Sequence, residues 1–383
     1  MERGEQHVAL RLCDEALFLE PDSAVAHYLA GSAHAQCAAY DIAQKHLERS
    51  IELGAGFPEP YINLGNVYRS TGDLTGAERS YRNALKADPD GVLAHYSLGV
   101  ILKQRGAAQE ALGHLTRAQA APGLSGEVAR LRVTTLVELG RHDDAMALAR
   151  EAVARDPSCY ESAIAYAFAC QKVHQPHEAL HAYEQVLALG AGDADVFNNR
   201  GIVLQDLGRL PEALESYDKA LALSPAHTLA RFHRALARLQ AGSYAAGWPD
   251  YEARLLSREY PRRPTAYPRW DGSASGSRTV LVYGEQGLGD EIMFASCLPD
   301  LIKAVRHCVI ECSPKLRGLF ARSFPATTVY AGNAEGRVPA EVQALGIDAE
   351  VPLGTLPLHY RGSRAAFPHH DGYLIADSRR TAE

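Results

Sequence analysis

The chain has 383 residues, which is room for a long repeat array and one further domain, and 39 basic against 46 acidic residues give a net charge of −7. This balance, with no dense Lys/Arg block, argues against nucleic acid as a partner. No apolar run approaches the ~20 residues that span a bilayer, and the N-terminal segment lacks the layout of a secretion signal. The seven cysteines show no metal-site clustering, so a cytoplasmic location fits best.

Two short helices joined by a turn form a unit that is clearest in residues 57–90. Small and apolar side chains recur at helical spacing in both halves, and Pro89 ends the second helix. We expect the helices to cross at Gly65 and Ala77, because larger side chains there would separate them. Together with Tyr81, these landmarks resemble the tetratricopeptide (TPR) repeat.

The same unit recurs every 34 residues without an insertion. The Ala77 column reads Ala9, Ala43, Ala77, Ala111, Ala145, Ala179 and Ala213. The Gly65 column reads Gly31, Gly65, Gly99, Val133, Ala167, Gly201 and Ala235. The Pro89 column reads Pro21, Ala55, Pro89, Gly123, Pro157, Ala191 and Pro225. One period carrying three such columns favours a TPR array over a generic alanine-rich bundle.

The repeats divide the first two thirds of the chain. Residues 1–23 hold only the second helix of a repeat, so we expect a non-repeat cap or, preferably, a start further upstream. Residues 24–227 hold six repeats, which are predicted to form a right-handed superhelix. Residues 228–258 are a seventh unit adapted as a cap, with Gly247 in the Ala77 column. The tyrosine column is interpreted as core packing: Tyr183, Tyr217 and Tyr251.

The first helix of each repeat lines the inner wall of a TPR superhelix, so polar side chains on it are candidate contacts for an extended peptide. Six residues are predicted to face this groove: Asn66, Arg69, Tyr96, Lys103, Asn198 and Gln205. Arg69, Lys103 and Gln205 share one column, with Gln171 between them, and such a row suits hydrogen bonding to a peptide backbone. The alternative is a merely solvated polar face. The repeats therefore predict a protein or peptide partner.

Residues 259–277 form a linker whose prolines exclude helix and mark a domain boundary. The arginines near it form a basic seam, interpreted as solvated: Arg254, Arg258, Arg262, Arg263 and Arg269.

Residues 278–383 alternate buried strands with helices, which predicts βαβ units and a parallel sheet. The predicted strands begin at Thr279, Cys308, Thr327 and Asp348. The helix over 290–306 is expected to kink near Pro299, and a second helix is predicted over 314–323. Cys308 and Cys312 should be core thiols on one face of their strand.

The loop GEQGLGDE after the first strand is the candidate functional loop. Gly287 and Gly289 are expected to take positive φ and to bring backbone N–H groups to a ligand at the carboxyl end of the sheet. Asp290 is a candidate general base toward an acceptor hydroxyl, with an ordinary N-cap as the alternative. The predicted substrate- or phosphate-binding residues are Glu285, Gln286, Gly287, Leu288 and Gly289.

Two other site types are disfavoured. A dinucleotide fingerprint would use Gly287 and Gly289 with Glu311 on the ribose, but Ile292 stands where the third glycine belongs. The adjacent residues His369-His370-Asp371 cannot converge on one ion, so we predict neither a metal site nor a cofactor.

Residues 244–300 carry a more specific pattern, GWPDYEARLL, PRWDG and VLVYGEQGLGDEIMFASCLPDL. They resemble bacterial TPR proteins with a glycosyltransferase region, similar to O-linked N-acetylglucosamine transferases in layout and to ADP-heptose heptosyltransferases in the Gly-Asp loop. The resemblance implies a GT-B fold, with the acceptor on the first Rossmann-like lobe and the nucleotide sugar mainly on the second. Gly289-Asp290 and Leu298-Pro299 match the heptosyltransferase motif, whose aspartate is the proposed base.

The predicted fold class is an all-α TPR superhelix followed by an α/β Rossmann-like lobe of the GT-B N-terminal type. Residues 275–383 match about one lobe, so we expect no turnover by this chain alone. The leading hypothesis is a glycosyltransferase-like protein whose superhelix binds a polypeptide acceptor and whose donor is a nucleotide sugar. The alternative is a non-catalytic TPR scaffold with a degenerate α/β lobe.

Overall fold

The computed structural model describes residues 3–120, 123–190, 192–256, 267–274, 276–333, 336–369 and 372–378. Two compact units divide the chain, Met1–Gly192 and Asp193–Glu383. The first unit consists of helices α1 to α11, with a 3₁₀ turn at Ala118–Ala120: Arg3–Leu19, Ala24–Gln36, Tyr40–Glu52, Glu59–Thr71, Leu74–Ala87, Val92–Gln104, Ala108–Arg117, Ser125–Glu138, His142–Arg155, Tyr160–Lys172 and Pro176–Ala188.

The helices pair as TPR hairpins, and the predicted small-residue columns explain how. A Cβ on Gly65 would lie 2.5 Å from Cε1 of Tyr81, and a Cβ on Gly201 would lie 2.5 Å from Cε1 of Tyr217. The glycine therefore makes room for the ring of its own hairpin. Where the column holds Val133, the position equivalent to Tyr81 is Ala149, and both residues are fully buried.

The Ala77 column confirms the register. Six of its members are fully buried: Ala43, Ala77, Ala111, Ala145, Ala179 and Ala213. Ala9 on α1 is exposed instead. In the part of the chain that the structure describes, no first helix of a repeat precedes α1 to cover it.

The second unit begins with two further hairpins, α12 to α15: Ala194–Asp206, Leu210–Leu223, Thr228–Gln240 and Tyr244–Tyr251. A 3₁₀ turn over Glu252–Leu256 follows α15. Tyr183 and Tyr217 are fully buried and Tyr251 is 6 % exposed, which confirms that the tyrosine column is core packing.

The remainder of the second unit is an α/β lobe with strands β1 to β4: Thr279–Tyr283, His307–Cys312, Thr328–Ala331 and Ala349–Pro352. All strand pairs are parallel and the order is β3-β2-β1-β4, with Leu281 beside Val309 and Glu350. The helices of this lobe are α16 to α20: Leu288–Phe294, Leu298–Ala304, Arg317–Ser323, Ala340–Gln343 and Leu356–Tyr360. Each strand starts within a residue of its predicted position.

The helix after β1 differs from its prediction. A helix beginning at Asp290 and kinked at Pro299 was expected, but α16 begins at Leu288 and a 3₁₀ turn over Ala295–Cys297 separates it from α17. Pro299 is the second residue of α17, where a missing N–H leaves no helical hydrogen bond unmade, so it starts a helix instead of bending one. Helix α18 also starts three residues later than predicted.

The seventh repeat and the α/β lobe share one hydrophobic core. Trp248 and Tyr251 of α15 pack with Phe294 of α16, and Trp248 Nε1 donates to the Arg361 carbonyl at 2.8 Å. The same core contains Cys308 and Cys312, each 2 % exposed, as predicted for core thiols. Within the described residues, no helix is both long enough and apolar enough to cross a membrane.

Candidate functional site

The β1–α16 loop, residues 284–287, lies at the carboxyl end of β1 as predicted, but its glycines act differently than expected. Gly287 has φ −73° and ψ 170°, and Gly289 lies in the first turn of α16, so neither takes positive φ. A Cβ on Gly289 would meet nothing within 4 Å, and one on Gly287 would meet only Asp290, at 3.6 Å. These glycines therefore leave open space above the helix start.

Asp290 caps α16, though not as its N-cap residue. The N-cap is Gly287, and the half-buried Asp290, three residues later, accepts a hydrogen bond from the Gly287 N–H through Oδ2 at 3.2 Å. This is the return half of a capping box. The other carboxylate oxygen leaves Asp290 able to accept a proton or hydrogen bond from a molecule above the loop.

Glu285 is held inside the lobe by the last repeat. Arg254, in the 3₁₀ turn after α15, is fully buried and its Nη2 donates to Glu285 Oε1 at 2.8 Å. The guanidinium also binds Glu252, and Glu285 accepts from the Gly354 N–H at 3.2 Å. Burial alone would lower the pKa of Arg254, yet the two carboxylates hold it above its usual value. Glu285 is therefore a partner of Arg254 in this structure.

Gln286 is held by the same repeat. Tyr251 Oη and Gln286 exchange hydrogen bonds of 3.2 and 3.0 Å. In the preceding hairpin the equivalent Tyr217 donates to Gln205 at 3.0 Å, but the corresponding position of the seventh repeat is Leu239. The loop glutamine thus replaces a glutamine that the repeat itself lacks.

Two more carboxyl groups lie at this edge of the sheet. Glu291 is 6 % exposed and accepts from the Ser313 N–H at 2.9 Å, and burial raises its pKa, as do the charges of Glu285 and Glu311. Glu311, expected on a ribose if the loop bound a dinucleotide, is 8 % exposed and accepts from the Tyr330 hydroxyl. Both carboxylates are therefore buried and hydrogen-bonded to other residues of the lobe.

The crevice outside β1 and β4 is where the strand order reverses and where open α/β sheets bind their ligands. Here Gly354, after β4, lies so near Glu285 that a Cβ on it would be 2.6 Å from Oε1. Arg254 Nη2 also donates to Thr355 Oγ1 at 3.0 Å. The crevice is thus filled by a side chain of the last repeat, and the open face lies above Gly287–Asp290.

The prediction of a solvated arginine seam is wrong for Arg254, because its side chain is fully buried and forms ion pairs with Glu252 and Glu285. Arg269 is half exposed and pairs with Glu252. Arg258, Arg262 and Arg263 lie outside the described residues. Within the predicted linker, Trp270 is 1 % exposed and its backbone N–H donates to the Glu350 carbonyl at 2.8 Å, extending the pairing of β4.

The first unit contains a concave recess of about 240 Å³ between the first helices α2 and α4, here called the α2–α4 recess. Its lining is mixed polar and apolar: Ser32, Ala35, Gln36, Tyr40, Asn63, Asn66, Val67 and Ser70. Asn66, predicted for the groove, accepts from the Tyr81 hydroxyl through Oδ1 at 2.8 Å. Burial raises the pKa of Tyr81 to about 12, so this hydroxyl remains a donor.

The other predicted groove residues divide into exposed and engaged side chains. Arg69 is exposed, Tyr96 is half buried, and Lys103 pairs with Glu138. In the second unit Asn198 is only 4 % exposed and its Oδ1 lies 2.8 Å from His233 Nδ1, so the prediction that it faces a peptide is wrong. Gln205 binds Tyr217 and also donates to Gln240 at 3.0 Å.

Sequence reasoning missed Arg254 and Tyr251 as the residues that hold the loop. The repeat register predicts the position of Tyr251, but its partner Gln286 lies beyond the linker, and no sequence pattern connects the two residues. Among the described residues no group of three or more His, Cys, Asp or Glu side chains is arranged to hold a metal ion. His370 and Asp371 of the disfavoured His-His-Asp site lie outside the described residues.

Family models for the tetratricopeptide repeat match residues 62–125 and 194–227. The chain therefore carries TPR repeats, as its hairpins already indicated. The crystal structure of a tetratricopeptide repeat protein from Parabacteroides merdae matches 61 % of this chain and 93 % of its own, with a TM-score of 0.53 at 14 % identity. That likeness concerns the fold alone.

Several curated proteins are similar in sequence. Protein FlbA of Caulobacter vibrioides is 27 % identical over 363 residues, which are 89 % of this chain and 59 % of FlbA. Human protein O-mannosyl-transferase TMTC3 is 27 % identical over 224 residues, 56 % of this chain and 22 % of TMTC3. The chain thus spans little more than half of the first relative and about a fifth of the second.

Proposed function

We propose that this chain binds a polypeptide on the first helices of its TPR hairpins and that its α/β lobe contributes to sugar transfer from a nucleotide sugar. The α2–α4 recess carries the first part of this proposal. A protein or peptide partner suits the cytoplasmic location that the cysteine usage favours.

The α2–α4 recess offers paired hydrogen-bonding groups. Asn66 uses Oδ1 for Tyr81, which leaves its amide N–H groups for a ligand. Asn63 donates through Nδ2 to Ser32 at 2.7 Å, which leaves its carbonyl oxygen as an acceptor. A donor and an acceptor one helical turn apart suit the C=O and N–H of an extended peptide, while the partly buried Ala35 and Tyr40 supply apolar contact.

Polypeptide binding is tested with Asn66→Asp. This substitution keeps an acceptor for Tyr81 but removes the donor and adds a negative charge in the recess. We expect peptides selected on the purified chain from a random display library to lose at least tenfold in affinity, measured by fluorescence anisotropy. Asn83→Asp on the second helix α5 makes the same chemical change outside the recess and should leave binding unchanged. Equal binding by both variants would contradict the proposal.

A second activity, sugar transfer, is favoured by Asp290. It stands beside open space at the carboxyl end of β1, and the strand order β3-β2-β1-β4 is that of half a Rossmann sheet, which supports a GT-B N-terminal-type lobe. A relative named protein O-mannosyl-transferase adds support at low identity. In this role Asp290 is the base, Gly287, Leu288 and Gly289 contact the substrate, and Glu285 and Gln286 position the loop.

Calorimetric titration with a panel of nucleotide sugars and free nucleotides tests this second activity. Gly289→Val is the informative variant, because a Cβ at this position meets no protein atom within 4 Å and we expect the chain to fold normally. We expect sub-millimolar binding that the variant abolishes. In a longer protein with a second lobe, Asp290→Asn should abolish transfer and still cap α16. No binding by the wild-type chain would favour the alternative, a TPR scaffold whose switch-point crevice is filled by Arg254.

A further inference from the structure

Two histidine pairs stand at equivalent positions of alternate hairpins. In the α2–α3 hairpin His27 Nδ1 lies 3.0 Å from His46 Nδ1, and in the α6–α7 hairpin His95 Nδ1 lies 2.8 Å from His114 Nδ1. Each pair joins the first helix of a repeat to its second. The intervening α4–α5 hairpin has Tyr61 and Ser80 at the same positions.

The surroundings fix where the protons are. His27 Nε2 lies 3.0 Å from the Pro21 carbonyl oxygen, and His95 Nε2 lies 2.9 Å from that of Pro89. A carbonyl oxygen only accepts, so these Nε2 atoms carry hydrogen and, in the neutral rings, the Nδ1 atoms are acceptors. The second histidine of each pair must then donate its Nδ1–H. Both hydrogen bonds of each first-helix histidine are complete when it is neutral.

We propose that the two histidine pairs are acid-sensitive clamps that hold the α2–α3 and α6–α7 hairpins closed at neutral pH and release them on acidification. One added proton can enter at Nε2 of the second histidine without breaking the Nδ1 bond. The next proton must enter at Nδ1 of His27 or His95, where two N–H donors would face each other at about 3 Å. A closed hairpin therefore excludes at least one proton that an open one takes up.

The groups around the first pair also disfavour charge. Burial lowers the pKa of His46, and so do His27 and His34, whose ring stacks on that of His46 with centroids 5.6 Å apart. Asp14 on α1 acts in the opposite direction without reversing the shift.

The second pair has different neighbours and the same outcome. Burial lowers the pKa of His114, and so do His95, Arg117 on the same helix and Arg82 on α5. Glu110 raises it but is itself paired with Arg82 at 2.8 Å. Two unlike environments thus lower the pKa of both second histidines.

The direction of the pH effect follows from the excluded protons. A histidine whose pKa is depressed by folding contributes stability above its unfolded pKa, near 6.5, and that contribution is lost as the pH falls. Each excluded proton makes opening about tenfold more favourable for every pH unit below about 6.5. If both pairs opened together, two protons would be excluded, and opening would become about a hundredfold more favourable for every pH unit.

The test is amide hydrogen exchange of the whole chain between pH 7.5 and pH 5, corrected for intrinsic exchange rates. Protection in α2–α3 and α6–α7 should fall at least tenfold. Replacing the pairs by the residues of the α4–α5 hairpin, His27→Tyr with His46→Ser and His95→Tyr with His114→Ser, should remove most of that fall. His142→Gln, which removes an exposed histidine of α9, should leave it unchanged.

A measurement on the wild-type chain covers the case in which the fourfold variant does not fold. Ring nitrogen spectra of ¹⁵N-histidine-labelled protein at pH 7.5, assigned with single His→Gln variants, should show His27 and His95 as Nε2–H tautomers and His46 and His114 as Nδ1–H tautomers. Nδ1–H tautomers at His27 and His95, or equal loss of protection in the fourfold variant, would overturn the proposal.

Discussion

At the scale of single residues, the turns inside the hairpins depend on left-handed backbone. One or two residues after each first helix the backbone takes positive φ, and the residue there is usually glycine: Gly72, Gly106, Gly140, Gly208 and Gly242. Two hairpins place another residue there, Ala38 with φ 56° and His174 with φ 57°. An L-residue in this region costs about 1–2 kcal/mol, so these two turns are strained.

Replacing the strained residues by glycine should stabilise the first unit. Ala38→Gly and His174→Gly each relieve left-handed strain at an exposed turn, offset in part by the entropy of glycine, and we expect a gain of about 0.5–1 kcal/mol. Urea denaturation followed by far-ultraviolet circular dichroism measures it. Gly72→Ala is the reverse change with no steric conflict and should cost about 1 kcal/mol. Destabilisation by both glycine variants would show that the turns are not strained.

Arg254 tests the buried ion pairs of the second unit. Arg254→Met leaves Glu285 and Glu252 without their cation in a desolvated site, and we expect a loss of about 3–5 kcal/mol. Both tryptophans of the chain belong to this unit's core, so their fluorescence during urea denaturation reports it. Arg278→Met, which removes a half-exposed arginine near Asp271, should cost under about 1 kcal/mol. Equal losses would mean that Arg254 is not a buried partner.

At the scale of elements, the seventh hairpin forms part of the α/β lobe. Its Tyr251 and Arg254 hold Gln286 and Glu285, so the loop after β1 is set by the repeat before the linker. Motion of that hairpin would move the loop with it. This arrangement joins the last repeat directly to the proposed sugar site.

Glu291 in α16 gives this lobe a pH dependence. Because burial raises the pKa of Glu291 in the folded state, its ionisation opposes folding, and this penalty grows as the pH rises above the unfolded value of about 4.3. Glu291→Gln keeps an acceptor for the Ser313 N–H and should be more stable than wild type at pH 7, with the difference vanishing toward pH 4. Tryptophan-detected urea curves at both pH values measure this.

Exposed Glu341 provides the comparison for that prediction. Glu341→Gln removes the same charge from the surface and should change stability little at either pH. A Glu291→Gln variant less stable than wild type at pH 7 would show that the ionised carboxylate is needed for its bond to Ser313.

At the scale of the whole molecule, the repeats and the parallel sheet could be predicted from sequence because each depends on local periodicity. The columns of small residues at 34-residue spacing predicted the helix pairs. The runs of apolar residues predicted the starts of four strands to within one residue. The partners of Glu285 and Asn198 could not be predicted, since Arg254 and His233 come from elements 31 and 35 residues away and side-chain pairing at that range has no periodic signal. The loop glycines were misread because spacing does not determine φ.

The central claim, that a polypeptide lies on the first helices α2 and α4, is tested most directly by hydrogen exchange of the chain with and without a selected peptide at neutral pH. The account predicts added protection in α2 and α4, with α3 and α5 unchanged, and none of it in the Asn66→Asp variant. Protection confined to the second helices or to the α/β lobe would contradict the account.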